Sequence, residues 1–236
     1  MASIKQIAFV LGISIVLIVL MGLWFDKTNQ PPELLLDTDT KLEGPLSPEE
    51  LAINNPPITN TMNRIAEFET TLGTIDIELY EDTMPLTTGN FIKLAEEKFY
   101  DGIKFHRVIN NFMIQAGDPN SKGDDSASYG TGGPGYTIQD EFVEDPLLSN
   151  VRGTVAMANT GQPNSGGSQF FINTVDNTGL DFNKEPFTSK HPVFGRVVSG
   201  MDVIDAISAT EVGARDLPVV PVVIESVTIK SQESAE

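Results

Sequence analysis

What limits this chain most is its punctuation. Between residues 64 and 230 the apolar residues fall in short runs, separated by stretches rich in glycine, proline and polar residues. Ala66 and Phe68, then Ile75, Ile77 and Leu79, alternate with polar residues, the two-residue period of a half-buried strand. Gly73 lies between the two runs and predicts a β-hairpin. Phe105–Ile109, Val155–Ala158, Ser168–Ile172 and Val222–Ile229 read as further strands. Helical spacing occurs in Pro85–Lys98, through Phe91, Leu94 and Ala95 with Gly102 beyond, and in Met201–Ile207. There is no strand–helix–strand alternation and no internal repeat. The fold class expected is therefore mainly β, an antiparallel barrel or sandwich with two helices.

The segments before this domain have a different character. Ile7 to Phe25 is uncharged, and as a helix it would span about 28 Å, close to the apolar thickness of a bilayer. A cleaved signal peptide would have a shorter apolar region and a small-x-small cleavage site, whereas this run ends in Leu23-Trp24-Phe25-Asp26-Lys27. Residues 1–25 are thus expected to be an uncleaved membrane anchor with one transmembrane helix over about 7–25. Lys5 and the terminal amine favour a cytoplasmic N-terminus, leaving the remainder extracytoplasmic. Residues 26–63 form an acidic, proline-containing linker, with one short helix start at Ser47-Pro48-Glu49-Glu50. A flexible linker of that length reaches on the order of 35 Å. Residues 64–230 are the folded domain and 231–236 a tail.

Charge and residue usage exclude several functions. The formal charge of −18 opposes binding to nucleic-acid phosphates, so no nucleic-acid partner is expected. With no cysteine there are no disulfides, thiolate nucleophiles or cysteine-ligated metals. With two histidines, His106 and His191, a histidine-rich metal site is not expected either. Gly130-Thr131-Gly132-Gly133-Pro134-Gly135 matches the dinucleotide-binding pattern G-x-G-x-x-G. That pattern works where it follows a buried strand and opens a helix, but here Asp124-Asp125 precede it and the β-prone Tyr136-Thr137-Ile138 follow. A glycine-rich surface loop is the better reading.

Three segments place polar groups inside apolar, glycine-punctuated strands: Phe105 to Asp118 (FHRVINNFMIQAGD), Met157 to Gly161 (MANTG) and Gly166 to Asn173 (GGSQFFIN). Their order is informative. The run FHRVINNFMIQAGDP resembles the central signature of the cyclophilins, and AMANTG, GSQFFIN, GTGGPGY and HPVFGRVVSGMDVID resemble further blocks of that family, in family order from about Ile65 to Ile229. The resemblance implies a closed eight-stranded antiparallel barrel capped by two α-helices, acting as a peptidyl-prolyl cis/trans isomerase without cofactor or metal. It also implies roles for particular residues. Arg107 matches the catalytic arginine. Phe112, Met113, Phe171 and Leu180 match the apolar pocket for the proline ring. Gln115, Ala158 and Asn159 match the segments that hold the substrate backbone, and Gln169 and His191 match further groove positions. Proline-containing polypeptides would be the substrates, and the domain would be monomeric. Two positions depart from the pattern. Ala116 stands where many members have Gly, and Gly179 where many have Trp, so cyclosporin binding is expected to be weak.

The residues suit that chemistry. Rotation about an X-Pro amide meets a barrier of about 18–20 kcal/mol and breaks no bond, so neither nucleophile nor metal is needed. At the twisted state the prolyl nitrogen regains a lone pair, which a fixed guanidinium can bind. Two other functions are compatible with the sequence: a cyclophilin-like module that holds proline peptides without turnover, and an inert β-domain on a membrane stalk. Only the enzyme requires Arg107 beside the apolar pocket.

Overall fold

In the computed structural model, the structure describes residues 63–184 and 190–231. The apolar run 7–25, the linker with its Ser47-Pro48 helix start, and nearly all of the tail lie outside the described residues. Among the described residues, no helix is long and apolar enough to cross a membrane.

The chain opens with strands β1 (Ile65–Thr70) and β2 (Gly73–Leu79), followed by helix α1 (Pro85–Glu96). Next come β3 (Arg107–Ile109), β4 (Met113–Ala116), β5 (Thr154–Met157) and β6 (Phe170–Asn173). It ends with β7 (Val193–Ser199), α2 (Met201–Ser208) and β8 (Ile224–Lys230). All ladders are antiparallel, in the order β3-β4-β6-β5-β7-β2-β1-β8. The opening hairpin pairs Ala66 with Ile77 and Phe68 with Ile75. All four are buried, so the alternation seen in the sequence points inward.

The closed barrel expected from the resemblance is corrected to an open, curled sheet whose two edges are β3 and β8. At three residues, β3 is too short to build a ladder along β8. The edges meet only ahead of β3 and at the very start of β8. There Phe105 N–H donates to Val222 O (2.9 Å), Ile224 N–H to Ile103 O (2.8 Å) and Gly102 N–H to Ile224 O (2.8 Å). Lys104 and Val223 form an isolated bridge at the same place. Beyond this clasp β8 pairs with β1 alone.

The interior is built on rings. Phe91 stacks on Tyr100 at 5.0 Å and meets Phe170 edge-on at 5.8 Å, with Phe68 and Phe194 completing the cluster. Burying each such side chain contributes about 1.5–3 kcal/mol. Helix α1 supplies Phe91, Ile92, Leu94 and Ala95 to this core, and α2 supplies Ile204 and Ile207. The residue before α1, Met84, offers no side-chain cap. Glu141 from a distant loop does so instead, accepting from Leu86 N (3.1 Å) and Thr87 N (2.8 Å).

Candidate active site

Strand register assembles the site. Arg107 on β3 pairs with Gln115 on β4, Gln115 with Phe171 on β6, and Phe171 with Ala156 on β5. Paired residues share a face, so Arg107, Gln115 and Phe171 form one row across three strands. The next row, Val108, Ile114, Ile172 and Val155, faces the core and is buried. Two residues further along, Ile109, Met113 and Asn173 return to the first face. A groove of about 530 Å³ lies over this face. Of the ten site residues expected from the sequence, nine line it: Arg107, Phe112, Met113, Gln115, Ala158, Asn159, Phe171, Leu180 and His191.

The apolar half is pinned by backbone. Phe112 follows Asn111, which takes the left-handed conformation (φ 58°) tolerated by asparagine, and its N–H closes the β3–β4 turn on Ile109 O (3.1 Å). Phe112 O accepts from Thr174 N (3.1 Å) and Asn177 Nδ2 (2.8 Å), which fixes the backbone that carries the ring. Met113 and Phe171 form the floor and are almost wholly buried. Leu180 sits in a 3-10 turn, Thr178–Leu180, and its carbonyl accepts from His191 N (3.1 Å). The His191 ring meets Phe171 edge-on at 5.3 Å. Its Nδ1 lies 3.1 Å from Met157 O; a carbonyl only accepts, so Nδ1 carries the proton and Nε2 is left as an acceptor.

A buried polar spine stands behind these walls. Asp181 accepts from Ser149 Oγ (2.7 Å), Asn150 N (2.7 Å) and Asn150 Nδ2 (2.9 Å). Asn150 Nδ2 also reaches His191 O (3.1 Å). Asn173 Nδ2 donates to Asn150 Oδ1 (3.1 Å), and Asn177 Nδ2 to Asn173 Oδ1 (2.8 Å). The chain of amides thereby links the carbonyl of Phe112 to that of His191 across the pocket.

The polar half is more open. Asn159 is held by Nδ2 on Lys190 O (2.7 Å) and by Oδ1 accepting from Gly161 N (3.0 Å). Its backbone N–H and C=O have no partner among the described residues, so an extended peptide can pair with them as an added strand. Gln169 is the exception among the expected residues. It lines a separate hollow of about 240 Å³ with Gly132, Gly133 and Tyr136, and reaches the main groove only by accepting from Gln115 Nε2 (3.0 Å). Its own Nε2 donates to Gly130 O (3.1 Å) and Gly132 O (2.9 Å). The Gly130–Gly135 run therefore wraps an amide side chain; no helix follows it, and Ile138 bridges Gly166 instead. At Gly117 (φ 92°) a Cβ would lie 2.2 Å from Ser168 O, so only glycine lets β4 leave the groove at this point.

Several groove residues carried no signal in the sequence. His106 lines the groove but is buried, and neither ring nitrogen has a hydrogen-bond partner. Burial lowers its pKa; Asp118 opposes that shift and Arg107 adds to it, while Gln169 and the Lys104 backbone pull weakly upward without reaching hydrogen-bond geometry. Burial likewise lowers the pKa of His191, against the pull of Met157 O. Arg215, Asp216 and Leu217 enter from the loop before β8. The Asp216 carboxylate lies 3.7 Å from Arg107 Nε. The arrangement offers a guanidinium, two amides and a free strand edge beside an apolar pocket.

The chain is similar to known proteins in both sequence and fold. Residues 65–229 match the family described as cyclophilin type peptidyl-prolyl cis-trans isomerase/CLD. A peptidyl-prolyl cis-trans isomerase of Acinetobacter baylyi is 40% identical over 190 residues, covering 79% of this chain and 94% of that protein. The peptidyl-prolyl cis-trans isomerase ppi1 of Schizosaccharomyces pombe is 40% identical over 162 residues, covering 67% and 94%. The crystal structure of a Cryptosporidium parvum cyclophilin type peptidyl-prolyl cis-trans isomerase superposes with a TM-score of 0.62 at 26% identity, covering 72% of this chain and 99% of that one. A second structure of the same protein, in the presence of the dipeptide Ala-Pro, gives 0.60 at 26% identity, covering 71% and 99%.

Proposed function

The chain belongs to the cyclophilin-type peptidyl-prolyl cis-trans isomerases, and from that premise we propose how its own residues accelerate X-Pro rotation and where they do so. The substrate chain lies as an added strand along Ala158-Asn159. Its proline ring enters the pocket of Phe112, Met113, Phe171 and Leu180. Gln115 and Gln169 orient the adjoining carbonyl, and the neutral His191 closes the far wall.

Arg107 is the catalytic residue. The observation that carries this is its unused donors: Nε faces Asp216, the terminal nitrogens have no partner among the described residues, and the residue lines the groove together with Phe112, Met113 and Phe171. As the amide twists, the prolyl nitrogen becomes pyramidal and accepts a hydrogen bond that the planar ground state hardly takes. The twisted amide is also less polar, so a dry pocket disfavours it less than water does. Lowering the barrier by about 4–7 kcal/mol corresponds to on the order of 10³–10⁵-fold acceleration.

The setting is the outer side of a membrane, with the domain acting as a monomer on proteins that fold nearby. The uncharged run 7–25 and the acidic linker support that reading. The enzymatic test is protease-coupled turnover of an Ala-Pro peptide by the full chain in a mild detergent, beside Arg107→Ala. Loss of at least tenfold with an unchanged circular dichroism spectrum is expected. Equal rates would remove Arg107 from the mechanism. The location is tested by protease protection of intact cells or right-side-out vesicles, where a domain shielded from added protease would overturn it.

A further inference from the structure

The loop before β8 is built in an unusual way. Arg215 (φ 62°) and Asp216 (φ 59°) are consecutive left-handed residues, and neither is glycine. Such conformations cost about 1–3 kcal/mol each and persist only where surrounding contacts enforce them. Here the contacts are specific. Gly213 N–H donates to Leu217 O (2.8 Å) and Val219 N–H to Glu211 O (2.9 Å), while Val212 bridges Pro218. The tip is therefore a narrow lobe with closed walls. The Arg215 guanidinium staples it to the Ser126–Ser128 turn, donating to Ser126 O and to Ala127 O (3.4 Å).

The consequence falls on Arg107. This residue sits on an edge strand of three residues, and its side chain is 42% exposed. A long side chain in that setting has several rotamers and most of them point to solvent. Asp216 is its single ion-pair partner among the described residues, and it lies on the Nε edge. A carboxylate there restricts the guanidinium from its Nε edge and leaves the terminal N–H groups free for another acceptor.

We infer that Asp216, held by the strained and stapled Glu211–Val219 lobe, is a positioning residue that orients the guanidinium of Arg107 toward the prolyl nitrogen. This rests on the catalytic role given to Arg107 above. The pair is exposed, so its contribution is modest and is screened by salt.

The test uses the full chain in mild detergent with four variants: Asp216→Asn, Asp216→Glu, Asp216→Gly and Arg107→Ala. Asparagine tolerates the left-handed backbone and glycine relaxes it, while both remove the charge. For Asp216→Asn and Asp216→Gly, turnover of an Ala-Pro peptide is expected to fall about three- to fivefold, with binding of that peptide changed less than twofold. Asp216→Glu should recover most of the rate. Raising the salt from 20 mM to 500 mM should slow the wild type toward Asp216→Asn and leave that variant unmoved. If Arg107→Ala is slow while Asp216→Asn runs at the wild-type rate, the positioning role is overturned and the catalytic arginine stands. If Arg107→Ala is itself at full rate, both readings fall. A loss in Asp216→Asn that Asp216→Gly restores would assign the effect to backbone strain and also overturn the charge argument.

Discussion

Replacing Asn150 with alanine isolates the buried spine behind the apolar half of the groove. Asn150 is completely buried, and its side chain makes three hydrogen bonds: Nδ2 to Asp181 Oδ1 (2.9 Å), Nδ2 to His191 O (3.1 Å), and Oδ1 from Asn173 Nδ2 (3.1 Å). Alanine keeps the backbone N–H on Asp181 but removes all three. Asn173 retains Thr154 Oγ1 (3.0 Å), so its loss is partial. The His191 carbonyl is left without this donor, and the Asp181 carboxylate loses a charge-assisted bond. At about 1 kcal/mol net for each bond, and up to about 3 for a buried group left unpaired, the change costs about 3–5 kcal/mol. A water entering the vacated space sets the lower end. For a domain of this size each kcal/mol moves the melting midpoint by about 2–4 °C, so the expected drop is about 6–20 °C. Thermal melting of the full chain in detergent, followed by circular dichroism, measures it. Turnover should show a raised KM, because the same spine holds the carbonyls of His191 and, through Asn173 and Asn177, of Phe112. A midpoint within 3 °C of the wild type would refute the claim that this network holds the pocket in shape.

Three further outcomes follow from the same structure. Burial lowers the pKa of both His106 and His191, so the unfolded chain binds protons that the folded one refuses. The stability this contributes is complete above about pH 6.5 and drains away as the pH falls below it, a decline in the urea midpoint between pH 7.5 and 5.5 that a flat profile would contradict. Gly117→Ala meets Ser168 O at 2.2 Å in a left-handed backbone, so it should destabilise by more than about 2 kcal/mol in urea unfolding; a neutral variant would show that the strand exit can shift. At Gly179 a Cβ meets no atom within 4 Å, so Gly179→Trp should fold normally and tighten cyclosporin binding about 10- to 100-fold in a fluorescence titration; unchanged affinity would mean the indole does not reach the groove.

The fold was legible where a strand has one wet face. β1 and β2 alternate because Ala66, Phe68, Ile75, Ile77 and Leu79 face the core while Glu67, Asp76 and Glu78 face outward. β4 gives no such rhythm: Met113, Ile114 and Ala116 are all buried, because core lies on one side of it and the groove floor on the other. β7 was hidden for a different reason. Its first three residues are buried without alternation, and both of its ladders contain a register shift, at Asp76/Ile77 and at Val155/Ala156. Whether the sheet closes was beyond any local pattern, since closure depends on how two edges distant in sequence come to face each other. Here the three-residue length of β3 decides it.

The site divides along the same line. Met113 and Phe171 are at once core and pocket, so the burial that specifies the fold also specifies the binding surface, and apolar positions in the sequence point to both. Arg107 and Gln115 have no such support. A polar residue on an edge strand is ordinary by itself, and only the surrounding order of residues, matched against a family, gave these two a role. Asp216 lies beyond either kind of signal. It is about a hundred residues from Arg107 in the chain, in a loop without periodicity, and its placement depends on two consecutive left-handed residues that are not glycine. The closer a groove residue comes to acting through charge and orientation instead of burial, the less its sequence neighbourhood records the fact. Such residues are then found only by asking what holds the side chain proposed as catalytic still.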